Sequence, residues 1–250
     1  MTTTAWREEP IFVLEGLDSL GHEVVSRLHR ELEYRSLYDC DTGERAEVWR
    51  CWLGRSSCLA ALPVTEAEAS WPERDGLRDL LIVVGKAPMP TDVARQANHV
   101  IQVLADAGQD EAEALAAFMR QWFDLLVNPG IINADWKDVR NMLEPGLPCY
   151  AVSSRVAGCD LAAQAGQKVH ERLASYVSDT SRPGGLLVTL TAGDDLGLSA
   201  FSAVGEALYA LVGEADEFIV ATILRPQVEL EVWAMMLVHV PRHNPIMLED

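Results

Sequence analysis

The stretch Asn128-Pro-Gly-Ile-Ile-Asn-Ala-Asp-Trp-Lys-Asp-Val-Arg140 divides the chain, and its reading decides the fold. On its N-terminal side, residues 111–126 carry apolar side chains at helical spacing, and Asp110 is placed to cap that helix. The Pro-Gly pair then stops it, because proline lacks the N–H that a helix interior needs and glycine tolerates the exit turn. After the stop, Asn133 and Asp135 stand where N-caps belong, ahead of a short helix over 136–142, and Asp138 falls in its first turn.

Working outward, both flanks alternate strand and helix. Upstream, 11–14 reads as a strand, Gly16 as a turn, and 21–32 as a helix with Val24, Val25, Leu28 and Leu32 on one face. Residues 47–51 and 57–62 read as two strands separated by Gly54. The run Asp79-Leu-Leu-Ile-Val-Val-Gly85 is continuously apolar, as a strand covered on both faces should be. A helix capped by Thr91 or Asp92 is expected to run to about residue 107. Downstream, strands are expected at 148–156, 186–191, 218–224 and 228–240, with helices at 160–176 and 199–212. The expected class is α/β: a reduced parallel sheet with helices over 1–110, a long central helix at 111–127, and a smaller C-terminal α/β domain over 128–250. Two separate sheets, one on each side of the helix, are expected.

Composition narrows the function. The chain has 250 residues and a formal charge of −18, from 38 acidic and 20 basic side chains. Such a surface repels nucleic-acid phosphates and anionic lipid, so neither is an expected partner. No apolar run is long enough for a membrane span, and the polar, acidic start has no leader-like region. A cytoplasmic location is the expectation. The five cysteines, Cys40, Cys51, Cys58, Cys149 and Cys159, form no CxxC pair and read as small buried hydrophobes. His239 and His243 are spaced by four with Pro241 between them, which precludes a helical metal pair. No Ser/His/Asp arrangement has a motif context, so no catalytic residue, metal or cofactor is assigned.

The dividing stretch resembles the FtsZ/tubulin superfamily. In FtsZ a long central helix ends in a proline-glycine turn, followed by an asparagine and two aspartates, the positions here of Asn133, Asp135 and Asp138. The segment Leu186-Leu-Val-Thr-Leu-Thr-Ala-Gly-Asp-Asp-Leu-Gly-Leu198 is similar to a strand, turn and helix start of the same family. One departure is Trp136-Lys137, where the family usually has Phe-Ala.

Under this resemblance, the N-terminal half holds a degenerate nucleotide site. The first phosphate loop corresponds to Glu15-Gly-Leu-Asp-Ser-Leu-Gly21: Gly16 and Gly21 are kept, while Glu15 and Asp18 place carboxylates where phosphates would lie. The glycine-rich signature loop, following Gly85, becomes Pro88-Met-Pro-Thr-Asp-Val-Ala94, in which only Thr91 matches and two prolines lack N–H groups. Two strand–helix units before the central helix are expected to be missing, and the guanine-binding aspartate corresponds to about Glu113. The resemblance therefore implies a non-enzymatic FtsZ-like interaction or scaffold protein that has lost GTP binding. Its alternative is a divergent GTPase of cell division or filament formation.

In the family the asparagine–aspartate loop enters a neighbour's nucleotide pocket. Asn133, Asp135, Lys137 and Asp138 are thus candidates for contacting FtsZ or another tubulin-like partner, or they serve only to cap a helix. Losing two strands would leave 79–84 at an exposed edge, where a homodimer could form through that edge or the helices beside it.

Overall fold

A computed structural model describes residues 11–32, 48–55, 77–85, 99–127, 130–143, 147–176, 182–193, 196–212, 217–225 and 229–239. In chain order the strands are β1 (Ile11–Gly16), β2 (Val48–Arg55), β3 (Leu77–Gly85), β4 (His99–Leu104), β5 (Pro148–Val156), β6 (Arg182–Ala192), β7 (Glu217–Leu224) and β8 (Leu230–His239). The helices are α1 (Ser19–Leu32), α2 (Glu111–Val127), α3 (Trp136–Asn141), α4 (Ala162–Ala174) and α5 (Leu198–Tyr209). A 3₁₀ turn at Cys159–Leu161 leads into α4.

The eight strands form one sheet in the order β1-β2-β3-β4-β5-β8-β6-β7. Only β8 runs against its neighbours, pairing antiparallel with β5 and β6. The expected α/β class holds, but the expected division into two sheets does not. The two halves join where β4 pairs in parallel with β5, from Val100↔Pro148 to Val103↔Ala151. All six residues of β4 are buried. An apolar β4 with no further strand beside it would have been an unsatisfied edge, and β5 closes it.

Three further expectations are corrected. The 79–84 strand is not an edge, since β3 lies between β2 and β4. The helix expected to reach residue 107 gives way by residue 99 to β4, half of whose His-Val-Ile-Gln-Val-Leu residues are β-branched and which is covered on both faces. A strand therefore stands between β3 and the central helix, where two whole units were expected to be missing. Gly54, read as a turn between strands, lies inside β2. The strand expected at 57–62 lies outside the described residues.

Two cores flank the sheet. One joins α1 (Leu20, Val24, Leu28), β2 to β4, and α2 with Leu115, Phe118, Met119 and Trp122. The other packs α4 (Ala165, Val169, Leu173) and α5 (Ala200, Val204, Leu208) on the opposite side of β5, β8 and β6. These strands serve both by alternation: Trp233, Met235 and Leu237 face α2, while Val232, Ala234, Met236 and Val238 face α4 and α5. Cys51 and Cys149 are buried, as read from sequence, whereas Cys159 is only half-buried; Cys40 and Cys58 lie outside the described residues. Burial pushes the Cys149 thiol up, so it stays protonated and unreactive. No described helix is long and apolar enough to cross a membrane.

The central helix runs across the sheet. Its first turn meets the end of β2 through Glu111 and Arg55, 3.1 Å apart. Phe118 then packs at a tilt against Trp233 of β8, and Gln121 hydrogen-bonds Thr191 of β6 at 2.6 Å. Near its end Asp124 ion-pairs with Arg225, just after β7. Seventeen residues at about 1.5 Å each separate its two ends by roughly 25 Å. The two candidate sites lie one at each end.

Candidate functional site

At the start of α2, the C-terminal ends of the parallel strands form the rim where open α/β sheets place their ligands. The Gly16–Asp18 turn leads from β1 into α1 at this rim. Leu17 N–H donates to the Leu53 carbonyl at 2.8 Å, which holds the turn against β2. Gly21 is pressed onto the same carbonyl: a Cβ at residue 21 would lie 1.8 Å from the Leu53 oxygen. Gly16 is equally confined, since a Cβ there would meet the His22 nitrogen at 2.4 Å. Both glycines that survive from the resemblance are therefore explained by close backbone approach.

The free N–H groups of a helix start attract an anion, and here the chain supplies one. Asp18 Oδ1 accepts from Gly21 N–H at 2.7 Å. Its other oxygen, Oδ2, accepts from the Arg55 backbone N–H at 3.3 Å and from the Arg55 guanidinium at 3.4 Å. Arg55 also donates to Glu111, so β1, β2, α1 and α2 are tied at one point. The carboxylate thus occupies donors at the start of α1 and on β2. Neither Arg55 nor Glu111 was singled out from sequence. The available signal was Gly54, whose Cβ would touch Leu17 and Asp18 at 3.0 and 3.4 Å, marking where the loop crosses β2.

Of the other residues assigned to the nucleotide site, the described ones are not gathered here. Gly85 ends β3, with β2 between it and β1, about 10 Å from the loop at sheet spacing. Thr91 lies outside the described residues. Glu113 instead joins α1 to α2, with Arg27 and Arg120 each 2.6 Å from its carboxylate.

At the far end of α2, the asparagine–aspartate loop is anchored to β7. Ile132 N–H donates to Thr222 Oγ1 at 2.9 Å, and Thr222 N–H to the Ile132 carbonyl at 2.8 Å. Gly130 packs on Thr222 so closely that a Cβ would lie 1.7 Å from its carbonyl oxygen. Asn133 Oδ1 accepts from Gly130 N–H at 2.6 Å, closing the turn. Asp135 and Asp138 form a reciprocal capping box on α3: Asp138 N–H donates to Asp135 Oδ1 at 3.0 Å, and Asp135 N–H to Asp138 Oδ2 at 2.9 Å. Asp135 and Asp138 thus cap α3, whereas Asn133, also expected as a cap, instead closes the turn before it. Lys137 and Ile131 point outward, and Ile131 is 60% exposed. Trp136 packs edge-on against Trp122 of α2, a use for the bulky replacement.

Among the described residues, no group of three or more His, Cys, Asp or Glu could hold a metal ion. The cleft between α2 and β6/β8, lined by Phe118, Gln121, Trp122 and Trp233, is apolar and little larger than a water molecule.

No protein-family model matches the chain. The cell division protein FtsZ of Coxiella burnetii is 30% identical over 116 residues, which is 46% of this chain and 30% of that protein. FtsZ of Haemophilus influenzae is 30% identical over 112 residues, covering 44% and 27% respectively. FtsZ of Pseudomonas putida is 27% identical over 157 residues, covering 62% and 37%. The chain thus matches well under half the length of these curated relatives. Among solved structures, an empty FtsZ dimer from M. jannaschii superposes with a TM-score of 0.56 at 11% identity, covering 91% of this chain and 88% of that one. TubZ of Bacillus thuringiensis serovar israelensis, solved as GDP-form protofilaments, gives 0.53 at 7% identity, covering 88% and 68%. The chain has an FtsZ/tubulin-like fold, truncated relative to the full proteins.

Proposed function

We propose that this chain, built on an FtsZ/tubulin-like fold, is a non-enzymatic interaction protein that does not hold GTP. The observation that carries this reading is the Asp18 carboxylate bonded to the first turn of α1, with Gly21 N–H at 2.7 Å and Arg55 beside it. Phosphate loops work by aiming free N–H groups and a helix N-terminus at an anion. Here a fixed carboxylate already occupies that field, and a second anion would meet its repulsion. Prolines 88 and 90 in the signature-loop position withdraw two more donors.

In this reading the loop at 130–139 presents the chain to a tubulin-like protein whose own pocket is intact. Its anchoring to β7 fixes its geometry without any nucleotide. Titration calorimetry with GTP and magnesium tests the first half, and no heat of binding is expected; micromolar affinity would instead favour a divergent GTPase. Co-sedimentation with GTP-loaded FtsZ tests the second half, comparing wild type with Lys137→Glu, whose new charge would face the partner's phosphates. Binding that Lys137→Glu leaves unchanged would reject docking through this loop.

A further inference from the structure

We propose that the cleft between α2 and the sheet is a binding site for one internal water, held between the indole N–H of Trp233 and the Thr189 hydroxyl. The proposal goes beyond the nucleotide and loop readings above and does not depend on them.

Trp233 of β8 is 5% exposed, and among the described residues no acceptor reaches its buried Nε1–H. An indole nitrogen can only donate, so a neighbouring donor cannot satisfy it. A buried donor left unpaired costs more than holding one ordered water in place. Phe118 of α2 packs against the indole with ring centroids 5.7 Å apart and planes tilted by 57°. A contact between an N–H and a ring is weaker than a bond to oxygen, so Phe118 does not remove the need.

The space beside the ring decides the occupant. The cavity, lined by Phe118, Gln121, Trp122, Leu187, Thr189 and Trp233, offers about 20 Å³ to the centre of a water-sized sphere. One water needs roughly 10–15 Å³ on that measure. A single water fits, and an organic ring does not. Cavities that stay dry are apolar throughout, whereas Gln121 and Thr189, both buried, bring oxygen atoms to this one.

The second partner follows from the ladder. Thr189 stands directly opposite Trp233 in the β6–β8 register. Their side chains therefore leave the sheet on the same face, with Cβ atoms about 5 Å apart. Gln121 already holds Thr191 Oγ1 through its amide nitrogen at 2.6 Å and its oxygen at 2.9 Å. That oxygen keeps a second lone pair. The water accepts from Trp233 and donates to Thr189 and Gln121, the usual complement for a buried water. It thereby bridges β6 and β8 to the central helix.

A high-resolution crystal structure of the full chain reads the outcome directly. The expected result is one density peak within hydrogen-bond distance of Trp233 Nε1 and Thr189 Oγ1. The same crystals under xenon pressure should take up no xenon in the cleft, since dry apolar cavities bind it. In solution, magnetisation should pass from water to the Trp233 indole proton, identified by its absence in Trp233→Phe or, if that variant misfolds, by through-bond assignment. Thr189→Val keeps the side-chain shape and removes the hydroxyl, so the water signal at the indole should fall several-fold. A cleft that shows no such peak and admits xenon overturns the proposal. An indole N–H turned onto the Phe118 ring, or a water that Thr189→Val leaves in place, overturns it as well. None of these results bears on nucleotide binding or loop docking, so the readings fall separately.

Discussion

Removing the Asp18 side chain is the most direct challenge to the reading of the closed phosphate loop. Asp18→Ala deletes the hydrogen bond to Gly21 N–H at 2.7 Å and the contact with Arg55 at 3.4 Å. Loss of a helix N-cap costs about 1 kcal/mol, within a range of roughly 0.5–2. The Arg55 pair adds less: the guanidinium is 41% exposed, so solvent screening holds its share to a few tenths of a kcal/mol. Together these give about 1.5 kcal/mol, or roughly 3–6 °C in melting temperature for a chain of this size.

The two contributions separate experimentally. Asp18→Asn should recover most of the loss, because asparagine caps nearly as well as aspartate, whereas Arg55→Ala should keep the cap and remove only the exposed ion pairs with Asp18 and Glu111. Salt at about 1 M should erase the Arg55 share and leave the cap, since only the exposed pair is screened. Thermal melts of the three variants at low and high salt provide the measurement. A shift below about 1 °C for Asp18→Ala would show that the carboxylate is not held at the helix start, and the argument for an occupied anion site would fail with it.

Two other perturbations test the geometry elsewhere. Gly21→Ala should destabilise by roughly 3 kcal/mol or more or prevent folding, because its Cβ would meet backbone rather than a movable side chain; denaturant unfolding measures this, and a mild effect would mean that the β1–α1 turn is not pressed on β2. Tyr150, buried on β5 beside Tyr176, has its phenol pushed up to about 12, first by burial and then by its neighbours Tyr176 and Cys149. Its contribution to stability is complete below the unfolded value near 10 and is lost as pH rises toward 12, on the order of 2 kcal/mol. Melts between pH 9 and 12, with absorbance following phenolate formation, should show that decline, and Tyr150→Phe should flatten it.

How much of this was legible in the sequence depended on range. The stop at Asn128-Pro-Gly, the cap at Asp135 and the amphipathic face of α1 are set by residues within one or two turns of each other, and all can be read locally. The β4 strand was missed because its six residues are all buried, which erases the alternation that marks a half-exposed strand. The joining of the two halves was missed because the β4–β5 pairing spans more than forty residues and leaves no local pattern. Asp18 was singled out from sequence as a carboxylate in the first-loop position, and the structure bonds it to the start of α1 and to β2. Its partners Arg55 and Glu111 come from two other elements, and only the sheet order brings them to it.

The two ends of α2 share one chemical logic, and it limits what the 130–139 loop can offer a partner. Asp135 and Asp138 each already accept a backbone hydrogen bond, and Asn133 accepts one as well. For the carboxylates to turn outward toward a neighbour's pocket, the capping box must open, at a cost of about 1 kcal/mol for the cap and a similar amount for its reciprocal bond. A partner would have to supply donors at least as good. Groups that need no such release are Lys137 and Ile131, both exposed on the same loop. Docking through the loop should therefore depend first on the Lys137 charge and the Ile131 side chain, with the aspartates shaping the turn that presents them. This ordering makes Lys137→Glu, rather than substitution of either aspartate, the variant that separates recognition from folding.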